Sequence, residues 1–390
     1  MPWKTERVMD QRVAFVLRAE QGDESLAKLC REYEISRPTG YLWLKRYRAG
    51  GKIMDLAEHS RRPLHTPRRT DRTIETAVLA LRDEKGWGGP KLAKVLGQRG
   101  VKVAPATAQR ILKRAGRVLE PAAQQATTRF ARAECNELTQ MDFKGEYTLS
   151  PREKCYPLSF LDDCSRFLHG LWPLSSTGGE GVKQSLEGYF RAHGVPQSIL
   201  MDHGTPWFST TNQHGLTWVA VWLIKQGVRL KYSGIGHPQT QGKVERFHRT
   251  LKARTTHRGA PTTMSEWQRW AAEFRQEYNH ERPHEALGMK TPAEVYKAVN
   301  LRPYQEQPGA WQYSAGVVKQ LNTQGMLYYK QQTFFVSEAL ASERVRVDEL
   351  DDQLLVTFRH LTVRQIDVRT GKSTALLLPA RTANKSDGHK

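Results

Sequence analysis

The sequence predicts a multidomain α/β protein built from three kinds of segment. A helical and strongly basic part occupies residues 1–116, strands alternate with helices over residues 135–300, and short β-branched and aromatic strands follow over residues 301–380. A chain of 390 residues exceeds what one hydrophobic core usually supports. Strands that alternate with helices are typical of a sheet with helices packed on it. We therefore expect several domains around a central α/β layer.

The charge of the chain indicates a polyanionic partner. The formal net charge is +20, while 38% hydrophobic and 26% charged residues are typical of a folded protein. Such a charge attracts nucleic acid or an anionic membrane surface. The longest apolar run, residues 218–224, is far shorter than the ~20 residues that a membrane span needs, and residues 1–12 have no apolar signal-peptide segment. We expect nucleic acid as the partner and no membrane.

The cysteines favour a reducing compartment. There are four, without any CxxC pairing, at positions 30, 135, 155 and 164. This usage predicts a cytoplasmic protein with free thiols. Cys155, Cys164 and His169 could meet at a metal ion, but buried free thiols are the favoured interpretation.

Residues 1–60 are predicted to form a helix-turn-helix domain. Three short helices are expected, and Ser36 with Pro38 begins the third, which ends at Gly50 and Gly51. In this arrangement the second helix of the pair enters the DNA major groove. The alternative is a three-helix domain with a charged surface. The candidate DNA-binding residues of the third helix are Arg37, Lys45, Arg46 and Arg48.

Residues 61–116 are predicted to form a second basic helical module behind an extended basic segment. Eight basic residues and no acid lie between Lys91 and Arg117. Proline and like-charge repulsion favour an extended segment at the start, and residues 117–134 are expected to be a linker. The candidate DNA-binding residues are Arg61, Arg62, Arg68 and Arg69 in the extended segment and Arg110, Lys113 and Arg114 in a helix near residues 107–113.

Residues 135–300 alternate between strand and helix patterns, which predicts an open sheet covered by helices. The expected strands are 138–143, 156–162, 167–174, 198–201 and 228–232, and the expected helices are 181–193, 217–226, 239–254 and 265–279. After residue 300 the pattern becomes all-β and predicts a small β-barrel. Residues 381–390 are expected to be a disordered tail.

The helix predicted at 239–254 carries one acid among many cations. Val244, Phe247 and Leu251 form one apolar stripe, and Glu245 lies at its edge. Residues 241–258 contain six Lys or Arg and a single acid. This pattern favours a metal ligand on a DNA-binding helix, with Lys243, Arg249 and Lys252 as DNA contacts. An ordinary amphipathic helix with Glu–Arg pairs is the alternative.

Two further acids occupy strand positions. Asp142 lies in the first strand, and Asp202 ends the strand at 198–201, at the sheet edge where ligands of open α/β folds bind. With Glu245 they could supply oxygen ligands to Mg²⁺ or Mn²⁺. Two such ions about 4 Å apart can promote phosphoryl transfer. Asp162 and Asp163 point to opposite faces of a strand, so we expect a structural role near Ser165 and Arg166 for one of them.

Four sequence strings carry a family resemblance. MDF, ILMDHGTPW, GHPQTQGKVERFHRTLK and YNHERPHEALGMKTPAEVY resemble the catalytic core of the DDE transposases of bacterial insertion sequences, relatives of retroviral integrases. The resemblance implies an RNase H-like core with Asp142, Asp202 and Glu245 as the metal-binding catalytic triad. It also implies a bacterial protein associated with the nucleoid. His203 replaces the asparagine that the family often has there, and Glu245 follows Asp202 by 43 positions, a wider spacing than in retroviral integrases.

The resemblance implies a transposase. It would bind the double-stranded terminal repeats of its element, cut 3′ ends with the help of two Mg²⁺ or Mn²⁺ ions, and join them to target DNA. We expect at least a dimer, because two DNA ends must be handled together. A catalytically inactive DNA-binding regulator and a simple metal-dependent nuclease are the alternatives. The first would be expected to have lost an acid, and the second does not need two basic helical modules.

Overall fold

The computed structural model describes residues 8–58, 70–118, 131–209, 215–233 and 241–376. The chain divides into two compact units, Met1–Arg69 and Thr70–Lys390. The finer domain boundaries expected from the sequence stay predictions. No helix in these described ranges is long and apolar enough to cross a membrane. Predicted features at Arg61, Arg62, Arg68 and Arg69, in most of the linker and in the tail 381–390 lie outside the described residues.

The first unit contains the three predicted helices, α1 (Val8–Gln21), α2 (Leu26–Glu32) and α3 (Arg37–Gly50). Ser36 caps α3, since its hydroxyl accepts a hydrogen bond from the Thr39 N–H at 3.3 Å. Gly51 ends the helix with φ of 66°, a left-handed conformation that glycine adopts without strain. The helices enclose a small core that includes Phe15, Val16, Leu29 and Leu44.

The second unit begins with α4 (Arg72–Lys85), α5 (Gly89–Gln98) and α6 (Pro105–Arg114). Pro90 and Pro105 lie in the first turns of α5 and α6, where a residue without an N–H is tolerated. The three helices share a core of their own. Three side chains from elsewhere in the unit, those of Arg254, His257 and Arg258, bond to the carbonyls of Asp83 and Glu84 at the end of α4. The module is therefore attached to the rest of the second unit through the C-terminal end of α4.

A mixed six-stranded sheet lies at the centre of the second unit. Its strands are β1 (Thr139–Phe143), β2 (Tyr147–Ser150), β3 (Glu153–Asp162), β4 (Leu168–Leu174), β5 (Ser198–Met201) and β6 (Arg229–Tyr232). The order is β2-β3-β1-β5-β6, and β4 pairs with β3. Strand β1 is antiparallel to β3 and parallel to β5. The mixed sheet is confirmed; the short strand β2, which alternates between half-buried and exposed residues, was not predicted.

Helices cover both faces of this sheet. They are α7 (Gly179–His193), α8 (Trp218–Lys225), α9 (Gly242–Arg258), α10 (Met264–Gln276) and the short α11 (Pro292–Val295). One core joins the sheet to α7 and α8, and another joins it to α9 and α10. Helix α9 ends at Arg258, four residues later than predicted, and the predicted first positions 239–240 lie outside the described residues.

The C-terminal region is all-β but is not a closed barrel. Its strands are β7 (Val317–Gln320), β8 (Met326–Tyr329), β9 (Gln332–Phe335), β10 (Arg344–Leu350), β11 (Gln353–Phe358), β12 (Leu361–Asp367) and β13 (Ser373–Ala375). Five form an open sheet in the order β13-β12-β11-β10-β7, and β8 and β9 form a hairpin. The predicted β-barrel is thus not confirmed, because β7 and β13 end the sheet without pairing to each other in the described part of the chain. Its core continues into α8 through Ala220, Val221 and Ile224.

Candidate active site

Asp142 and Asp202 lie side by side where two neighbouring strands end. The parallel pair β1–β5 aligns Gln140 with Leu200. Asp142 and Asp202 each follow this pair by two residues, so the same register places them next to each other. The side chain of Asp142 is 20% exposed, and Asp202 is half-buried. The sheet therefore presents both carboxylates at one edge.

Helix α9 brings Glu245 to the same place. The side-chain oxygen of Gln140 accepts a hydrogen bond from the Val244 N–H at 3.0 Å, which fixes the first turn of α9 over β1. Gln140 and Asp142 lie on one face of the strand because side chains alternate. Glu245 follows Val244 directly and is exposed. The predicted stripe Val244, Phe247 and Leu251 is buried beneath it.

The charges of the three acids act on one another. Burial, the negative charge of Asp202 and, to a smaller extent, that of Glu245 raise the pKa of Asp142 to about 7. Converging carboxylates repel, and a bound cation relieves this repulsion. Carboxylate oxygens are also the ligands that Mg²⁺ and Mn²⁺ prefer. The three residues therefore suit a hard divalent ion by their chemistry, although their ligand atoms do not form a group within 4.8 Å of one another in the described residues.

Hydrogen bonds hold Asp202 in a tight turn after β5. Its Oδ1 accepts from the Gly204 N–H at 3.0 Å and from the Trp207 indole N–H at 2.7 Å. A Cβ at position 204 would lie 3.0 Å from the same oxygen, so glycine permits this close approach. His203 packs between Phe208 and Tyr232. The turn is built from aromatic contacts and fixes the orientation of the carboxylate.

His248 contacts Asp142 and was not singled out from the sequence. The residue is buried, its Nε2 lies 2.7 Å from Ser159 Oγ, and its Nδ1 lies 3.5 Å from Asp142 Oδ2. Ser159 pairs with Asp142 across β3 and β1, and its Oγ also lies 3.0 Å from the Asp142 carbonyl oxygen. Burial, and then the charge of Lys144, lower the pKa of His248 to about 3. Its spacing of three residues after Glu245 is the signal that could have identified it.

Asp162 and Asp163 have structural roles, and Asp163 binds the side chain of Lys243. Asp162 accepts hydrogen bonds from the Asn136 N–H, the Ser165 N–H and the Ser165 hydroxyl, as expected for an acid near Ser165. Asp163 is buried, accepts from Gln140 Nε2 at 2.8 Å, and forms an ion pair with Lys243. The Lys243 side chain is only 13% exposed. The DNA contact expected at Lys243 stays a prediction, and in this structure its ammonium group pairs with the buried carboxylate.

The other predicted DNA-binding residues lie on two exposed helices and on α9. Arg37, Lys45 and Arg48 are exposed on α3, where Arg48 pairs with Glu20 at 2.7 Å and the Arg46 guanidinium packs over Trp43. On α6, Arg110, Lys113 and Arg114 are exposed, and Arg114 pairs with Glu75. Arg249 and Lys252 are exposed on α9, the helix of Glu245. The DNA contacts of these residues stay predictions.

The cysteine–histidine metal site considered from the sequence does not form. Cys135, Asp162 and Cys164 place ligand atoms within 4.8 Å of one another, without Cys155 or His169. All four cysteines are free. His169 is instead completely buried against Tyr189, with ring centroids 4.6 Å apart. Burial raises the pKa of the Cys164 thiol to about 11, so the thiol stays protonated at neutral pH.

Parts of the chain match the profiles of known families. Two integrase core domain profiles match residues 132–238 and 226–292. A homeodomain-like domain profile matches residues 39–112, and a helix-turn-helix domain profile matches residues 11–63. The integrase core matches contain Asp142, Asp202 and Glu245, and the other two cover the helices predicted to bind DNA.

One curated relative comes from an insertion element. The uncharacterized 31.7 kDa protein of insertion element IS407 from Burkholderia multivorans is 26% identical over 178 residues, which is 45% of this chain and 60% of that protein. The chain thus spans less than two thirds of the length of this relative. Together with the domain matches, this similarity confirms the resemblance stated from the motifs.

Solved structures of retroviral integrases give weaker similarities. The HTLV-2 integrase catalytic core domain in complex with magnesium is 14% identical and matches 42% of this chain and 99% of that chain, with a TM-score of 0.32. The simian T-cell lymphotropic virus intasome in complex with a PP2A regulatory subunit is 15% identical over 77% of this chain and 99% of that chain, with a TM-score of 0.37. Neither similarity is high enough to support a functional conclusion.

Proposed function

We propose that this chain, a relative of the DDE transposases of bacterial insertion sequences by its integrase core and helix-turn-helix domains, moves the element that encodes it. It binds the double-stranded terminal inverted repeats, cuts the 3′ ends and joins them to target DNA. DNA cleavage and joining take place at the nucleoid in the bacterial cytoplasm. At least two copies act together, because two DNA ends enter one reaction.

The observation that carries this proposal is the convergence of three acids from three elements. Asp142 lies near the end of β1, Asp202 follows β5, and Glu245 lies in the first turn of α9. Burial, and then the negative charges of Asp202 and Glu245, raise the pKa of Asp142. Each carboxylate is held by a different part of the fold, so a cation between them would be fixed relative to the sheet.

Asp142, Asp202 and Glu245 would hold two Mg²⁺ or Mn²⁺ ions. When bound, such ions supply Lewis acidity, which activates an attacking oxygen and stabilises the leaving oxygen of a phosphoryl transfer. Other residues of the chain position these ligands and bind the DNA. Trp207 and Gly204 orient the Asp202 carboxylate, and Gln140 fixes the start of α9. Arg249 and Lys252, one and two turns after Glu245, would bind DNA phosphates beside the acids.

The test is Glu245→Gln, which keeps the side-chain volume but removes the charge. Cleavage and strand transfer on oligonucleotides carrying the element ends should fall by roughly a thousandfold or more, because a metal ligand is lost. End binding in a gel shift should persist. Glu273→Gln, the same change at an exposed acid on α10, is the control and should react normally. Near-normal joining by Glu245→Gln would contradict the assignment of the triad.

Asp163→Asn would be a poor control for this experiment. From the sequence alone it is a neighbouring acid of no catalytic importance. Its carboxylate, however, accepts from Gln140, which also holds the start of α9. A change there would move the helix that carries Glu245, so loss of activity would not distinguish the two roles.

A further inference from the structure

The side chains of His248 and Ser159 join the elements that carry two of the three acids. His248 lies on α9, one turn after Glu245, and Ser159 lies on β3, directly opposite Asp142. Nε2 of His248 is 2.7 Å from Ser159 Oγ, and Nδ1 is 3.5 Å from Asp142 Oδ2. Both His248 and Ser159 are buried. Contacts of the His248 side chain thus connect α9 both to Ser159 on β3 and to the Asp142 carboxylate on β1.

A packing role alone does not account for this arrangement. Phe247, the neighbour of His248, fills the core between α9 and α10, whereas His248 faces polar atoms. A buried imidazole with both nitrogens near polar partners is a directional contact, since a neutral ring has one donor and one acceptor. The nitrogen that carries the proton is set by the bond that the other nitrogen makes.

We propose that His248 is a positioning residue for Asp142. The Ser159 hydroxyl has one proton and two acceptors within reach, His248 Nε2 at 2.7 Å and the Asp142 carbonyl oxygen at 3.0 Å, and in this arrangement the proton goes to the nearer acceptor, Nε2. The ring proton of His248 is then on Nδ1, on the side of Asp142 Oδ2. The imidazole then orients one carboxylate oxygen and leaves the other for the cation. Because Glu245 is on the same helix, the contact also fixes the spacing between the first and third acids. This inference rests on the proposed function, since it assigns a partner to one of its metal ligands.

The test compares His248→Phe with His248→Gln. Phenylalanine keeps a planar ring but cannot donate, whereas glutamine keeps an amide donor. Manganese binding to the full chain would be followed by titration calorimetry, beside end binding in a gel shift and cleavage over a series of Mn²⁺ concentrations. We expect Mn²⁺ affinity and cleavage to fall 10- to 100-fold in His248→Phe, the range typical of lost partners of metal ligands. His248→Gln should recover part of this loss.

Two features separate positioning from general damage to the fold. Excess Mn²⁺ should partly restore cleavage by His248→Phe, and its end binding should be unchanged. His280→Phe, the same change at an exposed histidine, should behave like the unaltered protein. If His248→Phe does not fold, Ser159→Ala decides, because it removes the hydroxyl that sets the ring proton. A folded variant of either residue with unaltered Mn²⁺ affinity would overturn the inference.

Glu245→Gln, measured in the same assays, distinguishes this inference from the proposed function. If Glu245→Gln also keeps full Mn²⁺ affinity and joining, the proposed function itself is wrong. If Glu245→Gln loses both while folded His248→Phe is unaffected, only the role of His248 is wrong.

Discussion

Lys243 Nζ donates to the backbone oxygen of Asp163 at 2.9 Å and also forms an ion pair with the carboxylate of that residue. The Asp163 side chain is completely buried, and its other carboxylate oxygen accepts from Gln140. Gln140 in turn accepts from the Val244 N–H, the neighbour of Lys243. The first turn of α9 is therefore fixed twice, through Lys243 and through Gln140, immediately before Glu245.

Removing one partner of this buried pair should destabilise the second unit. Asp163→Asn leaves the Lys243 ammonium group without its carboxylate, and breaking a buried ion pair in this way costs about 3–5 kcal/mol of the free energy of unfolding. Denaturant unfolding of the full chain measures it. Asp163→Asn combined with Lys243→Met should recover part of the loss, because no unpaired charge remains buried. Equal stability of Asp163→Asn and the unaltered protein would show that the pair is not needed.

Buried histidines should make stability fall in mild acid. Burial, and then the charge of Arg282, lower the pKa of His284 to about 3, against an ordinary value of 6.5. Below pH 6.5 the unfolded chain binds a proton that the folded chain does not accept. Stability is therefore complete above pH 6.5 and is lost as the pH falls toward 3, by about 1.4 kcal/mol per pH unit for one such histidine.

The variant His284→Gln removes this titration and isolates its share of the effect. Between pH 6.5 and 5, the free energy of unfolding of the variant should fall by about 2 kcal/mol less than that of the unaltered protein. Denaturant curves at several pH values give both slopes. Identical slopes would mean that His284 is protonated in the folded protein.

Cations on α3 should contribute to end binding through phosphates or bases. Arg37→Ala and Lys45→Ala each remove an exposed charge from this helix. If these residues contact phosphates, each variant should bind the element ends more weakly. The slope of log affinity against log salt concentration should also become shallower by about one in each variant, because one fewer counterion is released. Arg18→Ala on α1 is the control, since Arg18 pairs with Glu24 and Glu32. Salt dependence that is the same in all three variants would exclude phosphate contacts at Arg37 and Lys45.

The C-terminal sheet should be needed for the stability of the catalytic core. The sequence predicts a separate all-β domain after residue 300. Ala220, Val221 and Ile224 on α8, however, pack into the core of that sheet. Deleting residues 311–390 should expose this apolar face, lower the midpoint of thermal unfolding and cause aggregation. A truncated protein as stable and monodisperse as the full chain would show that the core does not need the C-terminal sheet.

The local pattern of the chain determined most of the elements and the candidate residues. Ser36, Pro90 and Pro105 mark helix starts through backbone chemistry, which does not depend on distant contacts. The stripe Val244, Phe247 and Leu251 indicated the buried side of α9 through its period. An acid directly after the apolar strand β5, and another in the first strand, pointed to Asp202 and Asp142.

Only the tertiary structure decided what each polar side chain contacts. Lys243 and Lys252 are both basic residues of α9, yet Lys243 pairs with a buried acid 80 residues earlier in the chain, while Lys252 is exposed. His248 meets Ser159 across 89 residues. The predicted barrel stays open, and its core continues into α8. Periodicity reports which face of an element is buried, but the partner of a buried polar group depends on which elements pack there, and that is fixed by contacts far apart in the sequence.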